Sequence, residues 1–168
     1  LEVTGDAKYA ELVETCLYNS VLSGISLDGK RYFYTNPLRI SADLPYTLRW
    51  PKERTEYISC FCCPPNTLRT LCQAQNYAYT LNDEGIYCNL YGANTLTTHW
   101  KDKGEIVLTQ ETDYPWDGNV RVRLNKLPRK AGAFSLFFRI PEWCEKATLT
   151  VNGEPVQIAA KANTYAEV

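Results

Sequence analysis

Leu81-Asn82-Asp83-Glu84-Gly85-Ile86-Tyr87-Cys88-Asn89-Leu90 is the stretch on which the fold turns. Ahead of it apolar residues recur at helical spacing. From Ile86, Cys88 and Leu90 onward they recur at every second position, the period of a strand with one face buried. Working back from the switch, Leu68, Leu71, Cys72 and Ala78 share one face of a predicted helix with Asn66 as its N-cap. Earlier still, Tyr9, Leu12, Val13, Cys16, Leu17 and Val21 predict a helix over 6–22, with Asp6 to cap its start and Gly24 to end it. Between the helices, residues 25–58 hold Gly29, Pro37, Pro45 and Pro51 among Tyr32, Phe33, Tyr34, Tyr46 and Trp50. Without sustained periodicity they read as a long ordered loop, a common setting for functional residues.

Working forward, Ile106 and Leu108, then Val120, Val122 and Leu124, then Phe134, Leu136, Phe138 and Ile140 continue the two-residue period. Asp117-Gly118 marks a turn, and Asn152-Gly153 between Thr148-Leu149-Thr150-Val151 and Val156 marks a two-residue hairpin. Short strands at this spacing predict an antiparallel β-sandwich. The chain therefore reads as α+β with a boundary near residue 82, one unit over 1–82 and a second, incomplete one over 83–168. Two helices and a loop enclose little core, so further helices, most simply from ahead of residue 1, are expected to cover their apolar faces.

The 168 residues are 45% apolar and 22% charged with a formal net charge of −1, a composition that folds and offers no basic footprint for nucleic acid or an anionic membrane. No run reaches the roughly 18 apolar residues that span a bilayer, and Leu1-Glu2-Val3-Thr4 has none of the features of a signal peptide. Methionine is absent, at the start and elsewhere. A piece of a longer polypeptide is the expectation, its compartment (cytoplasm, or export from a bacterium) and oligomeric state left open.

Cysteine is the unusual residue: seven, an odd number, at 16, 60, 62, 63, 72, 88 and 144. Adjacent Cys62 and Cys63 would form a strained ring if bridged, so the cluster reads as reduced thiols rather than a disulfide ladder. Cys16, Cys72 and Cys88 fall at apolar positions and read as core thiols. The cluster lies just ahead of a predicted helix start, where positive partial charge favours thiolate, and Pro64 and Pro65 fix the backbone between. Zinc takes three or four protein ligands, so two thiols alone do not complete a site. The residues leave three readings open: a structural metal knot, a reactive cysteine, or inert core thiols.

Cys62-Cys63-Pro64-Pro65-Asn66, with Arg69 and Tyr79 following, resembles the Cys-Cys-Pro-Pro-Asn signature of glycoside hydrolase family 127, the β-L-arabinofuranosidases. Agreement extends over about residues 4–156. It includes Gly5-Asp6-Ala7-Lys8-Tyr9, Leu17-Tyr18-Asn19, Phe33-Tyr34-Thr35-Asn36-Pro37-Leu38, Ile86-Tyr87-Cys88-Asn89-Leu90-Tyr91, Arg139-Ile140-Pro141-Glu142-Trp143 and Val151-Asn152-Gly153-Glu154. The resemblance implies an (α/α)6 barrel, whose last helices lie in residues 1–82, followed by a β-sandwich. It implies a retaining, exo-acting enzyme whose substrates are the arabinofuranosides of plant cell walls. Cys62 would be the nucleophile that carries the sugar as a thioglycosyl intermediate, and Cys62 and Cys63 would bind zinc with a Glu and a Cys of a Glu-x-Cys motif. Glu14-Thr15-Cys16 matches that motif by eye but lies in the wrong place relative to Gly5-Asp6. The true motif and the acid/base glutamate are expected before residue 1, leaving these 168 residues inactive alone.

Other residues have quieter readings. Tyr34 and Asn36 suit a sugar pocket, or equally the packing of their loop. Cys60 is close enough to be a third ligand, but the resemblance gives it no role. Glu53 and Glu56 read as solvated, and His99, the sole histidine, as a surface or packing residue. Trp143 reads as an anchor of the sandwich core, while Trp100 and Trp116 could form a carbohydrate-binding face. The rival of another class is a non-catalytic β-sandwich module with a structural zinc-thiolate site. A thiol redox protein is weaker, because Cys60 and Cys63 precede no βαβ unit.

Overall fold

The structure is a computed structural model that describes residues 1–39, 41–43, 47, 49–129, 132–159 and 161–168. Pro45 and Tyr46 of the aromatic loop lie outside the described residues. The class is α+β. Among the described residues are two α-helices, α1 (Ala7–Cys16) and α2 (Cys63–Gln73), and nine strands. The chain divides into two compact units, one of residues 12–76 and one of residues 1–11 with 77–168.

In the second of these, β1 (Tyr79–Leu81), β2 (Gly85–Cys88), β6 (Ser135–Ile140) and β9 (Thr164–Glu167) form a sheet in the order β1-β2-β6-β9. A second sheet runs β3 (Asn94–Trp100), β4 (Gly104–Glu111), β5 (Arg121–Lys126), and β7 (Leu149–Val151) pairs with β8 (Glu154–Val156). The expected hairpin is there: Asn152 and Gly153 both take positive φ, 53° and 91°, as a tight two-residue turn demands.

The expectation of antiparallel strands throughout is corrected by β2 and β6, which pair in parallel with Ile86 opposite Leu136 and Cys88 opposite Phe138. Alternation of apolar residues shows a buried face but carries no strand direction. A parallel partner needs a long crossover, and here the whole β3-β4-β5 sheet intervenes. At the crossing Gly85 lies so close to β6 that an added Cβ would stand 1.9 Å from the Ser135 carbonyl oxygen.

The alternating residues build one core shared by both sheets. Ile86, Trp100 and Ile106 are buried, with Tyr79, Leu81, Leu96, Phe134 and Leu136 packed around them. Trp100 donates its indole N–H to the Asn82 carbonyl at 3.0 Å. It is therefore a core residue and not part of a sugar-binding face. The buried Gln110 and Arg139 are tied in by hydrogen bonds. Gln110 donates to the Tyr79 hydroxyl at 2.7 Å, which donates in turn to Asn94 at 2.6 Å. The fully buried Arg139 pairs with Glu11 and donates to the Asn89 carbonyl. Trp143, by contrast, is 61% exposed and stacks on Tyr114 at the surface, so it anchors no core. Trp116 and His99 are exposed as well.

In the unit of residues 12–76 the first helix does not run regularly to Leu22. After Cys16 it widens to a π turn over Leu17–Val21 and tightens to a 3-10 turn over Leu22–Gly24. Its start is as expected, with Asp6 accepting from the Lys8 amide at 3.1 Å. Ser23 and Gly24 then receive the loop. Arg54 donates twice to the Ser23 carbonyl, its guanidinium lies 4.6 Å from the centre of the buried Phe33 ring, and Phe33 N–H bonds to the Gly24 carbonyl.

Candidate functional site

α2 begins four residues earlier than an N-cap at Asn66 would place it. Cys62 is the N-cap residue and Cys63 the first helical one, so the cysteines are the helix start rather than a prelude to it. Asn66 is not the cap. It is inside the first turn, and its side-chain amide donates to the Cys62 carbonyl at 2.9 Å. The reason is proline: Pro64 and Pro65 lack N–H groups that the first turn leaves unused and bring a φ already suited to a helix. The same prolines reduce the number of free amides at this helix end. Of the first three helical residues Cys63 alone has an N–H, so the amide contribution to thiolate stability is smaller than at an ordinary helix start.

Cys62 is exposed and Cys63 half-buried. Burial pushes the Cys63 thiol above its ordinary pKa, and the hydrogen bond and charge of Cys62, then the charge of Cys60, push it further. Two adjacent thiols fit two positions of a tetrahedral, sulfur-rich zinc site. Among the described residues no three His, Cys, Asp or Glu side chains are grouped to hold a metal.

The aromatic loop brings Tyr34 to this cluster. Its hydroxyl and the Cys60 Sγ are hydrogen-bonded at 3.4 Å, and its ring lies 3.9 Å from that of Trp50. The phenol is pushed above its usual pKa, first by that bond to Cys60, then by burial and by the charges of Cys60 and Cys62. Asn36 is placed differently. Its amide N–H groups donate to the Ser20 carbonyl at 3.2 Å and the Ser23 hydroxyl at 2.8 Å, while its oxygen accepts from the Leu38 amide. Every polar group of that side chain is engaged within the loop and the turn that follows α1. Glu53 and Glu56 are exposed, and Glu56 pairs with Arg31 at 3.4 Å.

The reading of Cys16 and Cys72 as core thiols is corrected: both are exposed. They occupy apolar faces of α1 and α2 that no described residue covers. Cys88 is core, and burial pushes its thiol up to about 12. Sequence spacing gave no hint of the contact between Tyr34 and Cys60, 26 residues apart, nor of Glu11 with Arg139, 128 residues apart.

Comparison with known proteins divides the chain between residues 76 and 85. Residues 1–76 match the GH127 catalytic domain of the β-L-arabinofuranosidases and residues 85–168 their GH127 middle domain. A non-reducing-end β-L-arabinofuranosidase of Bifidobacterium longum subsp. longum is 34% identical over 163 residues, 92% of this chain and 24% of that protein. Among solved structures, a glycoside hydrolase is 90% identical over 100% of this chain and 28% of its own, with a TM-score of 0.92. A GH127 β-L-arabinofuranosidase from Geobacillus stearothermophilus is 36% identical over 99% of this chain and 26% of its own, with a TM-score of 0.81. The chain thus spans about a quarter of the length of these relatives.

Proposed function

The chain belongs to glycoside hydrolase family 127, and from that premise we propose that its parent protein is a retaining, exo-acting β-L-arabinofuranosidase with Cys62 as nucleophile. Its substrates are the β-L-arabinofuranosyl ends of plant cell-wall glycans or glycoproteins. One observation carries the assignment: an exposed thiol at the N-cap of a helix, followed at once by a second thiol on the first helical residue.

In this reading Cys62 Sγ attacks the anomeric carbon from the open side of the helix end as the glycosidic C–O bond breaks and the aglycone leaves with a proton from the acid/base glutamate; the sugar is held as a thioglycoside until water displaces the sulfur with a second inversion. Pro64 and Pro65 hold the direction of the backbone that carries the sulfur, and Asn66 braces the Cys62 carbonyl. Tyr34 forms a wall of the sugar pocket beside the thiols, and Asn36 shapes the loop that carries it. With few free amides at this helix start, the thiolate needs another source of positive charge. Zinc bound by Cys62, Cys63 and a Glu-x-Cys pair from outside residues 1–168 would keep that sulfur ionised at neutral pH and stabilise it as a leaving group. The acid/base glutamate also comes from outside these residues, so they are inactive alone.

The exposed apolar residues Leu12, Leu22 and Leu68 support placing residues 1–82 at the end of an (α/α)6 barrel, where further helices cover them. The core shared by the two β-sheets supports a β-sandwich over residues 83–168.

The test is hydrolysis of an aryl β-L-arabinofuranoside by the full-length parent, wild type against Cys62→Ser, with zinc content and circular dichroism recorded for both. Loss of a nucleophile from a folded enzyme lowers turnover by at least about a thousandfold. A folded Cys62→Ser variant that keeps a tenth of the activity would remove Cys62 from the nucleophile's role. A wild type that is folded, zinc-loaded and inactive would exclude this sugar.

A further inference from the structure

We propose that Cys60 is the resolving thiol for Cys62, which makes this pair a reversible oxidation site; the inference rests on the reading of Cys62 as the reactive thiol. Cys62 is exposed at the helix N-cap, open to small oxidants. Cys60 is half-buried and has no part in the proposed chemistry, yet it is held in the cluster by the Tyr34 hydroxyl at 3.4 Å, with Tyr34 itself fixed against Trp50. Cys62 stands two residues on from Cys60, at the N-cap of α2.

Chain geometry favours Cys60 over the nearer neighbour. Cα atoms two residues apart lie about 5.5–7 Å from each other, which overlaps the roughly 4.4–6.8 Å that a disulfide spans. Adjacent Cys62 and Cys63 could close only a strained eight-membered ring. The intervening Phe61 is 89% exposed, so no packed side chain resists the small backbone shift that bonding requires. Cys16, Cys72 and Cys88 lie elsewhere: on the exposed faces of the helices and in the β core.

The oxidant is a peroxide. The Cys62 thiolate attacks one peroxide oxygen, an S–O bond forms as the O–O bond breaks, and the departing hydroxide takes up a proton as water. Sulfur is thereby oxidised by two electrons to the sulfenic acid and the peroxide is reduced. Cys60 Sγ then attacks that sulfur, the S–S bond forms, the S–O bond breaks, and the hydroxyl leaves with the Cys60 proton as a second water. Closing the disulfide stops oxidation short of the sulfinic acid, which small thiols do not reverse, and an external dithiol reopens it.

The experiment uses the full-length, zinc-loaded parent, wild type and Cys60→Ser, exposed to hydrogen peroxide and then to dithiothreitol and zinc. Free thiols are capped with iodoacetamide before reduction and newly released ones with N-ethylmaleimide after it, and the peptides are mapped by mass. Wild type is expected to release zinc, to carry the second label at Cys60 and Cys62 with the first at Cys63, and to regain more than nine-tenths of its starting activity. Cys60→Ser is expected to gain two oxygens on Cys62 and to regain less than half. A second label at Cys63 in place of Cys60, no second label at all, or equal recovery of the two proteins would overturn the proposal. The label map of the wild type decides this without the variant and without activity. A wild type that shows the Cys60–Cys62 map but never hydrolyses the arabinofuranoside would overturn the functional reading and leave the oxidation site standing.

Discussion

The β unit and the helical unit use similar apolar content to opposite ends. In the β unit Ile86, Cys88, Trp100, Ile106 and Leu108 are buried, and the buried Gln110 and Asn89 reach hydrogen-bond partners. In the unit of residues 12–76, α2 buries no residue, and Leu12, Leu22 and Leu68 are 57%, 44% and 46% exposed. The first unit is stabilised by its own core. The second presents three thiols and a tyrosine on a scaffold whose apolar face is open. Exposed apolar area contributes nothing to stability until something covers it, so the contrast divides the chain into a part that supplies stability and a part that carries the thiol cluster.

Trp100→Ala is the sharpest way to break that contrast. The indole fills the centre of the shared core, packs edge-on against Phe134 at 5.1 Å and bonds to the Asn82 carbonyl. Its removal costs the β unit about 4 kcal/mol, from lost burial and the cavity left behind. Thermal unfolding followed by near-ultraviolet circular dichroism should lose the β transition or shift it down by well over 10 °C. A shift of a degree or two would mean that the shared core is not what holds the sheets.

Gly85→Ala tests the join between the strands at a smaller scale. A Cβ at 1.9 Å from the Ser135 carbonyl oxygen forces β2 and β6 apart, and the obstacle is backbone that cannot swing away. A loss of about 2 kcal/mol is expected, within the range for overpacked cores, read as a lower denaturant midpoint at unchanged slope. No loss would show that β2 and β6 are not held in the parallel register.

How much of this could be read from the residues follows the same contrast. Strand positions such as Ile86, Ile106, Leu108 and Ile140 announced themselves because the pleat turns burial into a period of two, and Asn152-Gly153 was legible because few residues accept the left-handed conformations of that turn. Strand direction at β2 and β6 was not, since parallel and antiparallel partners bury the same face. Cys16, Cys72, Leu12 and Leu68 obey helical spacing, yet are exposed: periodicity shows which face wants cover, not whether cover is present. At the candidate site, Cys62 and Cys63 stood out through adjacency to each other and to two prolines. The helix start was displaced to Cys63 because Pro64 and Pro65 fit its first turn better than the Asn66 cap fits ahead of it. Trp143 was misread because an aromatic at the end of β6 looks the same in sequence whether it turns inward or, as here, lies on Tyr114 at the surface.

Leu12→Ser is the mildest change and the one that says most about the open face. In the 168-residue chain this side chain is 57% exposed, and the substitution should alter stability by no more than about 0.5 kcal/mol, as for other surface positions. In the full-length parent, if barrel helices cover α1, the same serine is buried without its methyl groups and with a hydroxyl to satisfy, and the cost rises to about 3 kcal/mol. Paired denaturation curves for the two lengths separate the cases. A several-fold larger cost in the parent shows that the apolar face of α1 is a packing surface completed by the rest of the enzyme. Equal and small costs would show that the face stays open to solvent, and the thiol cluster on α2 would then sit on a scaffold that does not need a barrel around it.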